Sequence, residues 1–182
     1  NNAGISMRAL FSEVKLEVLK NLMDTNFWGP VYCTKAALPY LKEAKGSIVA
    51  ISSICGITPL PGRTGYAASK HALDGFMETL RTENLHNGLN VILIHAGFTA
   101  SNIRKTALNK DGQIQAETPR DEDKMMSAEE VADEVLKAIE FHKRDIILTT
   151  EGKLITLIYK NAPALADRIL YNTMHEEDDS TV

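Results

Sequence analysis

Tyr66 and Lys70 stand four residues apart in GYAASKHALDGF, residues 65–76, with only Ala67, Ala68 and Ser69 between them. On a helix that spacing puts both side chains on one face. A phenol is nearly inert as an acid or base at neutral pH, its ordinary pKa being about 10. An ammonium held beside it favours the phenolate and lowers that pKa toward the working pH. A tyrosine tuned this way can pass a proton to or from the oxygen of an alcohol or a ketone. The same pair is also what a surface aromatic with a nearby lysine looks like, so the spacing needs company.

Two further polar residues supply it. The apolar run SIVAISS, residues 47–53, reads as a strand that ends in Ser53, and ICGITPLPGRTG turns the chain back toward Tyr66. A strand end and a following helix N-terminus converge at the carboxyl edge of a parallel sheet, where Ser53 can donate a hydrogen bond to the same oxygen. Upstream, DTNFWG puts Asn26 inside a helical stretch. Asn is a poor helix former, and one kept there points to a specific hydrogen-bonding task.

The elements that position these residues follow from periodicity. Ser47–Ser52, Asn90–His95 and Asp145–Thr149 are nearly continuous in Val, Ile and Leu, the pattern of parallel strands buried on both faces. Helical stretches separate them: Lys15–Ala44 in two pieces, Arg63–Asn87 closed by Gly88, and Ala128 to about His142. The third opens on a capping box, Ser127 with Glu130. Lys153–Lys160 and Ala164–Asn172 read as two more helices before an acidic tail, 173–182. Alternating strands and helices imply βαβ units and a parallel sheet. The long polar interval 101–126 follows a strand and is expected to be a lid over the ligand edge of that sheet.

With these residues placed, a family resemblance can be stated. NNAG (1–4), NFWG (26–29), ISSxxG (51–56), YxASK (66–70) and AGFT (96–99) resemble the short-chain dehydrogenase/reductase family, in the right order and over nearly the whole chain. The resemblance implies a Rossmann-like, doubly wound α/β fold and an NAD- or NADP-dependent oxidoreductase acting on a secondary alcohol or ketone. It implies Tyr66 as general acid/base, and Lys70 as the residue that lowers its pKa and binds the nicotinamide ribose. By the same resemblance Ser53 would orient the substrate oxygen, and Asn26 would distort its helix to hold a water in the proton relay. Asn2, Ala3 and Gly4 would line the adenosine side of the cofactor. Gly97, Phe98, Thr99 and Ser101 would lie near the carboxamide. A homodimer or homotetramer is implied as well.

Two departures qualify the match. Ala96 stands where the family usually has Pro, which loosens that turn slightly. None of the 11 glycines forms the Gly-rich finger that holds the dinucleotide pyrophosphate. The chain therefore reads as a single domain, 1–182, that is the C-terminal portion of a longer Rossmann-type domain, and alone it is not expected to be a well-behaved monomer. Two alternatives stay open: a non-catalytic dinucleotide-binding or interaction module that kept the motif, and an epimerase or dehydratase using the same Tyr and Lys. Too few residues follow Lys70 for the larger substrate domain of that second class.

Composition narrows the partners. A net charge of −4 gives no electrostatic reason to bind nucleic acid or an anionic membrane. The longest apolar runs are too short to span a bilayer. The 2 cysteines make no disulfide framework, so a cytoplasmic setting is expected. The partner that the resemblance implies is a small molecule, and the apolar helices 154–159 and 164–171 hint at a hydrophobic ketone or alcohol. The 5 histidines show no metal-ligand spacing. Cys33 reads as core and Cys55 as a small packing residue near the site. His95 could face the pocket, and Trp28 reads as packing. Val31, Tyr32, Leu38 and Leu41 on one helix, and Leu73, Phe76, Met77 and Leu80 on the other, suggest faces that a partner covers.

Overall fold

The computed structural model describes residues 1–116 and 125–175. The centre of the expected lid, 117–124, and the end of the expected tail, 176–182, lie outside the described residues. Among the described residues three parallel strands form the sheet, in the order β1 (Ser47–Ser53), β2 (Asn90–Ala96), β3 (Asp145–Ile147). The third is shorter than expected because Thr149 leaves the ladder, its hydroxyl accepting the Gly152 N–H to cap the next helix.

Successive strand residues face opposite sides, and each side is covered. On one side Ile48, Ala50, Val91 and Leu93 meet helices α2 (Gly29–Glu43) and α3 (Thr64–Glu83) through Leu38, Leu41, Leu73, Met77 and Leu80. On the other, Ile92 and Ile94 meet α4 (Ala128–Glu140) through Val135, Ala138 and Ile139. The result is the three-layer α/β/α arrangement that near-continuous apolar strands require. Both halves of the Ser127/Glu130 capping box are present at α4. The last two helices, α5 (Thr150–Asn161) and α6 (Pro163–His175), form a hairpin, each longer than the apolar pattern alone marks out.

Some details differ from expectation. Helix α3 stops at Glu83, and turns carry the chain to Gly88, whose φ is +79°. The Asn84 amide donates to the Leu80 carbonyl at 2.7 Å and so takes over one helix-end group. Leu73, Met77 and Leu80 are core, not a partner face. Cys33 is exposed, because the inward stripe of α2 runs through Pro30, Thr34, Leu38 and Leu41 and leaves it to one side. Trp28 stacks on Tyr32 and meets Phe27 edge-on, as packing predicts, yet it and Tyr32 remain substantially exposed.

The segment before β1 also matters for the site. Helix α1 (Leu16–Met23) runs into a π-helical turn, Asp24–Trp28, before α2 begins. There the Gly29 N–H reaches back five residues to the Asp24 carbonyl. That one extra residue is where Asn26 sits, and such insertions are frequent at functional sites.

Candidate active site

One stripe of α3 both packs on the sheet and carries the chemistry. Lys70, Leu73, Asp74 and Met77 are all buried along it. Leu73 and Met77 seat the helix on β1 and β2, and Lys70 is thereby pushed to the carboxyl edge, where its Nζ donates to the Ile51 carbonyl at 2.8 Å. Tyr66 lies one turn earlier, half-buried, its ring packed against a small core of Met7, Ala9, Val14, Val18 and Leu22. The ammonium stands 5.8 Å from the centre of that ring.

Ser53 ends β1 and caps the 3-10 turn Ile54–Gly56, its Oγ accepting the Cys55 N–H at 3.2 Å. Its own hydroxyl proton is left to donate. Asn26 is fully buried and clamps two segments. Its Oδ1 accepts the Ile5 N–H at 2.8 Å, while its Nδ2 donates to the Ile5 carbonyl and to Ser69 Oγ, both at 2.9 Å. Ser69 in turn donates to the Tyr66 carbonyl at 2.8 Å. Gly4 lies so close that a Cβ there would sit 3.3 Å from Asn26 Oδ1 and 3.7 Å from Lys70 Nζ. The asparagine that is wrong for a helix is right for this junction.

Electrostatics correct one expectation. Tyr66 is pushed above the ordinary phenol value, first by burial and then by the Cys55 thiol, with the Ser53 hydroxyl and the Arg63 charge working the other way. Lys70 is not among the groups that shift it, and its Nζ is held by the Ile51 carbonyl. Burial instead brings Lys70 down to about 8, opposed by Asp74 and Cys55. Tyr66 therefore stands as the protonated phenol throughout the neutral range, the form that donates a proton. Cys55 is buried and its thiol pushed up by burial, which fits packing and not nucleophilic chemistry.

Ten predicted residues line one cavity of about 830 Å3: Asn2, Ala3, Gly4, Ser53, Tyr66, Lys70, Gly97, Phe98, Thr99 and Ser101. Asn26 stands behind the wall. Gly97 is required for a reason other than ligand approach, since a Cβ there would collide with Thr149 Oγ1. A nicotinamide ribose suits the end of the cavity beside Gly4. Lys70 keeps two ammonium protons for its hydroxyls, and no carboxylate lines the wall among the described residues. The stretch from Ser101 to Thr106 forms part of the same wall, and its flanks are tied down: Ala100 donates to Met126 at 2.9 Å, and Leu108 pairs with Met7 and Ile114.

Sequence reasoning missed several neighbours. Arg8, Arg63 and Arg104 line the cavity, as do Leu60, Val131 and Val135. Arg8 sits in a segment with no periodicity to mark it. Below the floor, His95 does not reach the pocket. It is buried with Nδ1 3.3 Å from the Ser53 carbonyl oxygen and 3.6 Å from Asp74 Oδ2. Burial pushes the Asp74 carboxyl up, opposed by the Ser52 hydroxyl and by the nearby His95 and Lys70. No group of three metal-ligating residues occurs among the described residues. No helix among them is long and apolar enough to cross a membrane.

The sequence model of the short chain dehydrogenase family matches residues 1–112. The chain is 37% identical over 179 residues to dehydrogenase/reductase SDR family member 7B of Rattus norvegicus, covering 97% of this chain and 55% of that protein. The chain thus spans about half the length of the curated relatives it matches. Among solved structures, its fold resembles a short chain dehydrogenase from Burkholderia cenocepacia in complex with NADP, at TM-score 0.78 and 22% identity, covering 93% of this chain and 66% of that one. A 4-hydroxyisoleucine dehydrogenase complexed with NADH follows at TM-score 0.63 and 22% identity, covering 80% of this chain and 64% of that one. At such identities the two structures speak for the fold alone.

Proposed function

The chain belongs to the short-chain dehydrogenase family, and on that premise we propose that its gene product is an NAD(P)-dependent oxidoreductase for a secondary alcohol or ketone. The observation that carries this reading is the convergence of Ser53, Tyr66 and Lys70 on one cavity, with Asn26 bracing the turn that holds them. A bound nicotinamide coenzyme supplies or accepts the hydride. Asn2, Ala3, Gly4, Gly97, Phe98, Thr99 and Ser101 are the residues to hold it, with Lys70 on its ribose. The NADP and NADH named with the two solved structures support the coenzyme class without choosing between them.

The chain's own groups handle the proton. In the reducing direction, Ser53 donates a hydrogen bond to the carbonyl oxygen and polarises it. Tyr66, kept protonated by burial, gives its phenolic proton to the oxygen as negative charge develops there. The Lys70 ammonium, 5.8 Å from the ring centre, would stabilise the phenolate so formed once bound coenzyme and substrate exclude water from the site. In the oxidising direction the same groups run in reverse. Asn26 has both amide protons committed to Ile5 and Ser69, so a relay water behind Lys70 would be held there through the oxygens of Asn26.

The 101–126 segment is proposed as a lid over substrate, with Ser101–Arg104 and Thr106 already in the cavity wall. Exposed Trp28, Tyr32 and Tyr40 on and beside α2 support assembly of a homodimer or homotetramer through that helix. The reading is tested by assaying the full gene product with both reduced coenzymes against a panel of ketones, wild type beside Tyr66→Phe. Coenzyme-dependent turnover lost in the variant supports it. Equal turnover in both removes Tyr66 from the mechanism.

A further inference from the structure

Arg8 is an expensive residue to leave as the structure has it. It is only 6% exposed, its Nε is buried without a hydrogen-bond partner, and its guanidinium makes no ion pair among the described residues. Burying a guanidinium without a partner is costly by the usual desolvation argument, and such groups are rare in native structures. Arg8 lines the cavity, so its use can come from there.

Its place in the cavity decides what it would meet. Arg63 is the N-cap of α3, with Tyr66 about one helical turn on and Lys70 one turn beyond that. Lys70 faces Gly4 and Ile51, the end suited to the nicotinamide ribose. Arg63 therefore lies on the other side of Tyr66, toward substrate. Arg8 belongs with it: the Ala9 N–H donates to the Gly62 carbonyl at 3.1 Å, and the Arg8 N–H to the Leu108 carbonyl at 2.8 Å. That second bond sets Arg8 against the loop carrying Arg104, which also lines the cavity. In a chain of net charge −4, this cavity has four cationic side chains on its wall and no carboxylate among the described residues. Leu60, Val131, Val135, Leu136 and Met174 add an apolar stretch to the wall.

We propose that the substrate is an anionic amphiphile: a ketone or secondary alcohol whose phosphate or carboxylate seats on Arg8 and whose apolar body lies along α4 and Met174. This rests on the oxidoreductase reading and names its substrate class. A guanidinium offers paired donors to either anion, which supplies the partner that Arg8 lacks.

The test needs a readout besides turnover. Decyl phosphate, decanoate and uncharged decanol are titrated calorimetrically into the coenzyme-saturated full gene product and into Arg8→Gln and Arg8→Met, each checked for a native melting transition. At least one anion is expected to bind wild type tenfold or more tightly than decanol, and that preference is expected to vanish in the variants. The stronger of the two anions identifies the head group. Turnover of 4-oxododecanoate against its methyl ester gives the matching kinetic ratio, with kcat/KM favouring the acid tenfold or more. Equal binding of anion and alcohol to wild type overturns the proposal. So does a variant whose defect lies in coenzyme affinity and not in the anion, since Arg8 would then serve the coenzyme. Anion binding dependent on Arg8, with no ketone turned over, would keep the site while rejecting the oxidoreductase reading.

Discussion

Replacing Asn26 by Ala removes three hydrogen bonds at once, two to the Ile5 main chain and one to Ser69 Oγ. Each is worth about 1 kcal/mol net, so about 3 kcal/mol of stability goes with them. The void left by a fully buried side chain and the stranded Ile5 groups push the loss toward about 4 kcal/mol. Ser69→Ala breaks only one link to Asn26 and one to the Tyr66 carbonyl, and should cost about 1–2 kcal/mol. The double variant should cost less than the sum by about 1 kcal/mol, since the shared bond is counted twice. Urea unfolding of the full gene product measures all three. Coenzyme titration should show weaker binding in Asn26→Ala, because the Ile5 clamp holds Gly4 beside Lys70. An Asn26→Ala protein within about 1 kcal/mol of wild type, binding coenzyme equally well, would refute the view that this clamp builds the site.

Other outcomes follow from particular groups. With Lys70 at about 8, ketone reduction should be level at neutral pH and decline above about 8 as the ammonium is lost; a flat profile to pH 10 would contradict this. Lys70 is depressed in the folded state, so the unfolded chain binds more protons between about 8 and the ordinary lysine value, and stability should rise with pH across that window; Lys70→Met should flatten the rise in urea midpoints. Asp74 is raised by burial against the opposing pull of Ser52, His95 and Lys70, so Asp74→Asn should raise the urea midpoint at pH 8 and do so less at acid pH, where Asp74 is already neutral. Gly97→Ala must displace Thr149 from the start of α5 and should cost about 1–3 kcal/mol in the same assay.

Much of this was legible in the residues, for physical reasons. Strands buried on both faces have no polar side to alternate, and the apolar runs showed it. The Ser127 capping box marked α4 because both its bonds are local in sequence. Asn26 stood out because a helix has no use for it, but the π turn that accommodates it depends on Ile5 and Ser69, far apart along the chain. Apolar residues on α3 were misjudged as a partner face since nothing local tells a sheet-facing stripe from an exposed one. Cys33 was misplaced for the same reason. The state of Tyr66 was read from one neighbour, Lys70, when burial is a sum over the whole fold. Arg8 gave no local signal, and its meaning lies in a buried Nε with no hydrogen-bond partner among the described residues.

The most direct test is a structure of the full gene product with nicotinamide coenzyme and an unreactive ketone analogue bound. The account predicts Tyr66 Oη and Ser53 Oγ both within about 3 Å of the analogue's oxygen, and the Lys70 ammonium between the phenol and the ribose. A tyrosine hydroxyl turned away from the nicotinamide ring, with the analogue's oxygen bound by other groups, would contradict it.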